Sequence, residues 1–300
     1  YQRSGLQALL RKTGLIRLLS RSLGASLVGR LSGLEELIPV IEDHFTPEGT
    51  FPAVGERRLR VGLLAGCVQD VAFAGVNRDT IEVLRQNGCE VVVPRAQQCC
   101  GSLHGHNGEL ETARRMARAN LEAFDLDSFD AIVVNSAGCG SFMKHYDRLL
   151  DGDPLAKRVS EQVKDISEFL VEIGFRKPCA GPPQKVCATY HDACHLCHGQ
   201  KIRQQPREIL QSIPGLELVE LAESDWCCGS AGVYNITHPE MAMKLLDRKM
   251  QNIAATGATV VASGNPGCTI QLRHGANRCG PRLSVEHPVT LLAKAYRMET

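Results

Sequence analysis

The chain has 300 residues, 43% hydrophobic and 22% charged, with a formal net charge of +1. That is the profile of an ordinary globular protein long enough for two modest domains. So even a charge balance, with no long Lys/Arg run, gives no electrostatic ground for a nucleic-acid partner or binding to an anionic bilayer. No window holds the roughly 20 apolar residues of a spanning helix, and no signal-peptide pattern is present. Membrane contact is therefore expected to be peripheral only. Thirteen cysteines, an odd number, in a chain without an export signal argue against a secreted disulfide scaffold. Metal or redox chemistry in the reducing cytoplasm is the better expectation. Tyr1 is not an initiator, which reads as a fragment or processed product.

Residues 1–57 read as a helical segment and linker. Leu6, Leu9, Leu10, Ile16 and Leu19, then Leu34, Leu37 and Ile41, follow helical spacing, with Arg3, Arg11, Lys12, Arg17 and Arg21 as a solvated basic face. The turn-rich stretch from His44 to Gly55 reads as linker. Residues 58–150 form a first domain. A short apolar strand over 60–66 ends at Cys67, and a helix around 79–86 stops at Gly88. A strand over 90–94 precedes Cys99 and Cys100. Leu110, Ala113, Ala117, Leu121 and Phe124 mark a longer helix, and a strand over 131–134 runs into Cys139.

Residues 151–184 read as a connecting helix and linker, with Val159, Val163, Ile166, Leu170 and Ile173 on one stripe. Residues 185–300 then repeat the order. A strand over 185–190 precedes Cys194, and one over 216–220 precedes Cys227 and Cys228. Thr237, Pro239 and Glu240 open a long helix with a capping-box pattern and a proline in its first turn. A strand over 259–262 precedes Cys268. A closing strand over 283–286 leads to a C-terminal helix containing Leu291, Leu292 and Ala295.

The tetrapeptide Cys99-Cys100-Gly101-Ser102 recurs as Cys227-Cys228-Gly229-Ser230. Cys67 and Cys194, Cys99 and Cys227, and Cys139 and Cys268 lie 127, 128 and 129 residues apart. Landmarks shifted by nearly one offset mark a duplicated unit. The predicted fold is α/β: two duplicated open parallel-sheet modules with helical N-terminal and C-terminal segments. Each repeated cysteine follows a strand, at the sheet edge where ligands collect in such folds. Three loops per edge would bring four thiols into one pocket: Cys67, Cys99, Cys100 and Cys139 in one module, Cys194, Cys227, Cys228 and Cys268 in the other.

Thiolates bind zinc and iron–sulfur clusters, and four satisfy a [4Fe–4S] cluster or a tetrahedral zinc. Cys89, Cys179, Cys187 and Cys279 fall outside the repeat and read as small hydrophobes. His191, His195 and His198 near Cys194, and His104 and His106 after the first Cys-Cys-Gly, read as loop histidines bonded to backbone rather than as ligands or proton carriers. Trp226 reads as a shield over Cys227, and Asp192 as a helix cap.

The doubled pattern resembles the cysteine-rich (CCG) domain of heterodisulfide reductase-like proteins. Gly66-Cys67-Val68-Gln69, Ser136-Ala137-Gly138-Cys139-Gly140, Asp165-Ile166-Ser167-Glu168, Tyr234-Asn235-Ile236-Thr237-His238-Pro239 and Asn265-Pro266-Gly267-Cys268 narrow the likeness to the iron–sulfur subunit of glycolate oxidase. The resemblance implies an electron-transfer subunit of a glycolate (2-hydroxy acid) dehydrogenase complex. Flavin-binding partner subunits would oxidise glycolate to glyoxylate, and a quinone or other acceptor would receive the electrons. It also implies an iron–sulfur cofactor, [4Fe–4S] in type, held by the eight repeated cysteines, with zinc at one site as the alternative. Neither flavin nor nicotinamide is expected in this chain, which lacks a Gly-x-Gly-x-x-Gly fingerprint. The isolated chain is expected to be inactive alone, and the location cytoplasmic or peripheral on the inner face of the cell membrane.

The sequence departs from the family at two points. No ferredoxin-type Cys-x-x-Cys-x-x-Cys run precedes Cys67, and Phe142 and Gln271 stand where the fuller pattern ends in a fifth cysteine. Cys197 forms a Cys-x-x-Cys with Cys194 in the second module only. Two rival readings remain: a lactate-utilisation or heterodisulfide reductase-like redox subunit, and a zinc-bound or metal-free docking scaffold.

Overall fold

The structure, a computed structural model, describes residues 38, 39, 41, 45–279 and 283–299. The helix expected near the N-terminus falls almost wholly outside them, as does the side chain of Cys279. The first half runs β1 (Gly49–Phe51), β2 (Leu59–Leu63), α1 (Val68–Ala72), α2 (Ala74–Gln86), β3 (Cys89–Val93), α3 (Ser102–His106), α4 (Leu110–Ala123), β4 (Ala131–Val134), α5 (Ala137–Met143), α6 (Tyr146–Leu149), α7 (Pro154–Gln162), β5 (Val163–Asp165) and α8 (Ile166–Glu172). Its sheet has the order β1-β3-β2-β4-β5, all parallel except β1.

The second half runs β6 (Val186–Tyr190), a π-helical turn (His195–Gly199), α9 (Gln204–Gln211), β7 (Leu216–Val219), α10 (Tyr234–Thr237), α11 (Pro239–Ala255), β8 (Val260–Ala262), α12 (Pro266–Cys279), β9 (Ser284–Glu286) and α13 (Pro288–Arg297). Its sheet, β7-β6-β8-β9, is parallel throughout. Matching β2 with β6, β3 with β7, β4 with β8 and β5 with β9 makes the two strand orders identical apart from the extra edge strand β1.

Helices cover the sheets on both faces, so the central strands are apolar along their length rather than alternating. All four residues of β4 and all three of β8 are buried. Gly88, at φ +77°, closes α2 in the left-handed conformation that favours glycine at a helix end.

Residues 151–184 contain more than one helix. Asp153 caps α7 by accepting from the Leu155 and Ala156 amides. The chain then extends as β5, in parallel register with Ile132–Val134. Asp165 restarts it as α8 through a capping box with Glu168. The predicted stripe is buried at Val159, Val163, Ile166 and Leu170. Periodicity could not reveal that a three-residue strand interrupts it. Similarly, part of the expected linker is β1, paired antiparallel with β3. At α11 the proline is in place, but the capping box is not: Thr237 turns its hydroxyl to the Val233 carbonyl instead.

The modules share a core. α13, the last helix of the second, packs on α2 of the first, while α8, the last of the first, packs on α9 of the second. One continuous apolar cluster contains Val61, Val133, Ile166 and Leu170 together with Ala188, Ile209, Leu210, Leu292 and Tyr296. The Tyr296 hydroxyl lies 3.2 Å from Asn87 Nδ2 and donates to the Arg176 carbonyl. Exchanged helices make each module's core depend on the other. Leu292, fully buried in that cluster, tests this. Leu292→Ala should cost about 2–5 kcal/mol and lower the denaturation midpoint of one transition common to both modules, followed by circular dichroism and Trp226 fluorescence. Two separate transitions in the native protein would contradict a shared core.

Candidate functional site

Three neighbouring parallel strands, β3-β2-β4, end at the same edge of the first sheet, and β7-β6-β8 do so in the second. Hydrogen-bonded strands lie about 4.8 Å apart, so segments leaving three adjacent carboxyl ends are already within side-chain reach. In the first module Cys67 is the cap residue before α1, Cys99 and Cys100 lie between β3 and α3, and Cys139 sits in the first turn of α5. In the second, Cys194 precedes the π-helical turn, Cys227 and Cys228 follow β7, and Cys268 sits in the first turn of α12. Cys139 and Cys268 are thus helical, not in loops as expected.

The first four thiols touch. Cys67 Sγ lies 3.1 Å from Cys99 Sγ, and the Gly101 amide donates to Cys99 Sγ at 3.5 Å. Cys100 is buried, while Cys67, Cys99 and Cys139 are half-buried. Protons are shared unevenly along the row. Cys67 is pushed well above the ordinary thiol range, chiefly because it donates to Cys99, with burial adding to this. Cys99 is held far below it by the hydrogen bonds from Cys100 and Cys67. Cys100 is raised by its bond to Cys139, then by that to Cys99, and Cys139 is lowered by accepting from Cys100. Hydrogen bonding thus moves the thiols of the row in alternate directions.

In the second module the Gly229 amide donates to Cys227 Sγ at 3.3 Å, and Asn265 Nδ2 to Cys268 Sγ at 3.4 Å. Cys228 and Cys268 are buried. Cys227 is pushed up by its hydrogen bond to Cys228, and next by burial. Cys194 is raised by burial and then by the nearby Cys227. For Cys228 the bond with Cys227 acts downward, but the bond to Cys268 and burial outweigh it.

His191 is a site residue, not the backbone-bonded loop histidine expected from its position in the chain. It is 1% exposed, and neither ring nitrogen meets a nitrogen or oxygen partner; its polar neighbour is the Cys228 thiol, on which it acts downward. Its ligand atom and the Cys228 and Cys268 sulfurs all lie within 4.8 Å of one another. The available signal was the repeat offset: 127 residues earlier stands the buried, apolar Leu64.

Of the remaining candidates, His195 touches a quartet sulfur. Cys197 is buried, but its thiol faces the Asp192 and Cys194 carbonyls at 3.8 and 3.9 Å. Cys89 is a core residue, whereas Cys179 is exposed and no packing residue. His104 pairs with Glu109 and His198 lies near Asp225 and Arg203, both at the surface. His195 Nδ1 is 3.7 Å from Cys194 Sγ, and its ring faces that of His106 at 5.3 Å. Burial, and next His106, lower the His195 pKa. Asp192 caps no helix; it forms a buried pair with Arg207 at 2.7 Å. Trp226 is 44% exposed with Arg248 over its ring.

The two quartets lie side by side. α5 packs on the π-helical turn. Asn265 accepts from the Gly138 amide at 3.1 Å while its other amide atom donates to Cys268, so one side chain links the Cys268 sulfur to the residue before Cys139. The Ala137 amide donates to the Gly264 carbonyl, and Gln200 Nε2 to the Ala137 carbonyl.

Comparison with known proteins agrees with this duplication. A family model described as "Cysteine-rich domain" matches residues 61–144 and again 188–273. A second, described as "Glycolate oxidase iron-sulfur subunit, linker region", matches residues 1–26. The "Probable glycolate oxidase iron-sulfur subunit" of Bacillus subtilis (strain 168) is 38% identical over 100% of this chain and 68% of its own length. "Lactate utilization protein A" of Oceanobacillus iheyensis is 31% identical over 78% of this chain and 96% of its own. One of the subunits of the fumarate reductase (CoM/CoB) of Methanothermobacter marburgensis is 35% identical over 85% of this chain but only 50% of its own length.

The glycine after each cysteine pair is required by geometry. Gly229 has φ +92°, and a Cβ there would stand 2.4 Å from the Ala242 carbonyl oxygen; Gly101 has φ +84° and would meet Ala113 backbone at 3.2 Å. Gly229→Ala should therefore destabilise by about 2 kcal/mol or more, and Gly101→Ala by about 1–2 kcal/mol. Thermal denaturation of the two variants checks both the size and the ranking.

Proposed function

The chain belongs to the family built on the paired cysteine-rich (CCG) domain that includes glycolate oxidase iron–sulfur subunits, and on that premise we propose that it is the electron-transfer subunit of a 2-hydroxy acid dehydrogenase complex. Electrons taken by flavin-bearing partner subunits from glycolate, giving glyoxylate, would cross this chain to a quinone-type acceptor. The observation that carries the reading is the gathering of eight thiols as two adjacent quartets, each at one sheet edge. Cys67, Cys99, Cys100 and Cys139 are the proposed ligands of one centre, and Cys194, Cys227, Cys228 and Cys268 those of the other.

The donor set fits an iron–sulfur group. Soft sulfur ligands four at a time are what a [4Fe–4S] cluster takes, and bound there it supplies one-electron chemistry. The hydrogen bonds that Cys99 and Cys139 accept lower both toward the thiolate that a metal requires. The Gly101 and Gly229 amides aim N–H dipoles at sulfur, which stabilises its negative charge. Buried Cys100, Cys228 and Cys268 lie where water is excluded. Asn265 keeps the two centres in fixed relation, as a relay needs.

Lactate is the second reading for the donor. What favours it is that the match with the Oceanobacillus iheyensis protein spans 96% of that protein's length. Co-purification with flavoprotein subunits, and dye reduction by the complex with glycolate against lactate, distinguishes the donors.

Anaerobically prepared protein should contain iron and acid-labile sulfide and show a visible absorption bleached by reductant. Stoichiometric zinc without iron would overturn the relay and favour a docking scaffold. Cys99→Ser and Cys227→Ser should each remove about half of the metal. If both variants keep all of it, the ligand assignment is wrong. The pH dependence has a defined sign. Cys67 and Cys100 are raised, so both are protonated near neutrality and must release protons on metal binding. Loading should therefore strengthen as pH rises and weaken as it falls, measured by competition with a chelator across a pH series.

A further inference from the structure

We infer that the two centres are chemically unequal: the first is bound by thiolates alone, and His191 supplies an imidazole nitrogen to the metal of the second. The inference rests on the reading above, in that it takes the second quartet to hold metal.

Equivalence of the compared positions is set by the backbone, not only by counting. The Leu64 amide, just past β2, donates to the Val133 carbonyl on β4 at 3.0 Å; the His191 amide, just past β6, donates to the Ala262 carbonyl on β8 at 2.9 Å. The pairs lie 127 and 129 residues apart, the offsets of the first and last cysteines. At one position of the repeat, then, one module buries a leucine at 1% exposure and the other a histidine at 1%.

A buried imidazole without an oxygen or nitrogen partner is costly. Native interiors hydrogen-bond such groups almost without exception. Other buried polar groups of the second module differ in this: Asp192 pairs with Arg207 and Lys249 Nζ donates to the Ser224 carbonyl at 3.1 Å, whereas Tyr190, Ser263, Gln271, His287 and Thr290 each leave a side-chain atom without a partner; His191 is set apart by the two sulfurs beside it. For His191 the convergent groups are sulfurs. Its ligand atom, Cys228 Sγ and Cys268 Sγ fall within 4.8 Å of one another, the spacing expected of donors around one ion of about 2.0–2.3 Å bond length. A metal bond would satisfy the ring nitrogen that the protein leaves without a nitrogen or oxygen partner. It also adds a donor in the module where Gln271 stands at the fifth-cysteine position and bonds to Asn235 instead.

The test isolates the second centre in a Cys99→Ser/Cys100→Ser chain labelled with 15N-histidine and prepared anaerobically. X-ray absorption at the edge of the metal found should show a nitrogen scatterer at about 2.0–2.1 Å. For iron in a paramagnetic state, pulsed EPR should show a directly bonded histidine nitrogen. His191→Leu copies the residue of the first module, so the fold should tolerate it. It should lose the nitrogen signal and at least the roughly tenfold affinity that removing even an outer partner of a metal costs, with the circular dichroism unchanged. Metal present in the second quartet without a bonded nitrogen overturns this inference and leaves the relay standing. Absence of metal from both quartets in the unmutated protein overturns both. The isotope experiment uses the native His191, so it decides the matter even if the leucine variant fails to fold.

Discussion

Everything at the site depends on one geometric constraint: parallel strands that are neighbours all end on the same side. With β2 between β3 and β4, the three segments that carry cysteines must leave the sheet at one edge, within a few strand spacings of each other. Sulfurs separated by more than thirty residues of sequence therefore come into contact, as Cys67 and Cys99 do at 3.1 Å. The contact sets the electrostatics. Hydrogen bonds along the row divide the thiols, raising Cys67 and Cys100 and lowering Cys99 and Cys139. A site of this kind stands ready to exchange protons for a soft cation.

A second constraint fixes the relation between the sites. Because α13 packs on α2 and α8 on α9, neither sheet has a complete cover of its own. The exchange turns two modules into one packed body and faces their sulfur-bearing edges toward each other across α5 and the π-helical turn. Asn265 is the narrowest link, with one amide atom on a cysteine sulfur and the other on the backbone beside the opposite site. Duplication gave two similar halves, and reciprocal helix packing made them a pair of centres at a fixed separation.

The halves are not copies at the site, however. Ser136 bonds to Cys139 where Asn265 bonds to Cys268, and Leu64 lies where His191 does. Substitutions at equivalent backbone positions change the donors around each quartet while the strands that carry them stay in register.

Much of this was legible in the sequence. The repeat of Cys-Cys-Gly, the near-constant offsets and the short apolar runs sufficed for an α/β fold in two parallel-sheet modules and for eight cysteines of common interest, because duplication and strand patterning are local or countable. What failed were features set by contact. The stripe from Val159 to Ile173 is buried over most of its length, but only pairing with β4 makes its middle a strand. Thr237 has the sequence of a capping box and bonds elsewhere. Asp192 reads as a cap, yet Arg207, fifteen residues on, takes its carboxylate.

The amino-acid order by itself determined the repeat, the class of fold and the identity of the sulfurs, since each is written in composition and spacing. Only the tertiary structure decided which sulfurs touch, how hydrogen bonds divide the thiols, and that His191 lies among them with neither ring nitrogen meeting a nitrogen or oxygen partner. Those properties depend on distances between strands that are neighbours in the sheet and far apart in the chain, and spacing along one strand carries no information about the next.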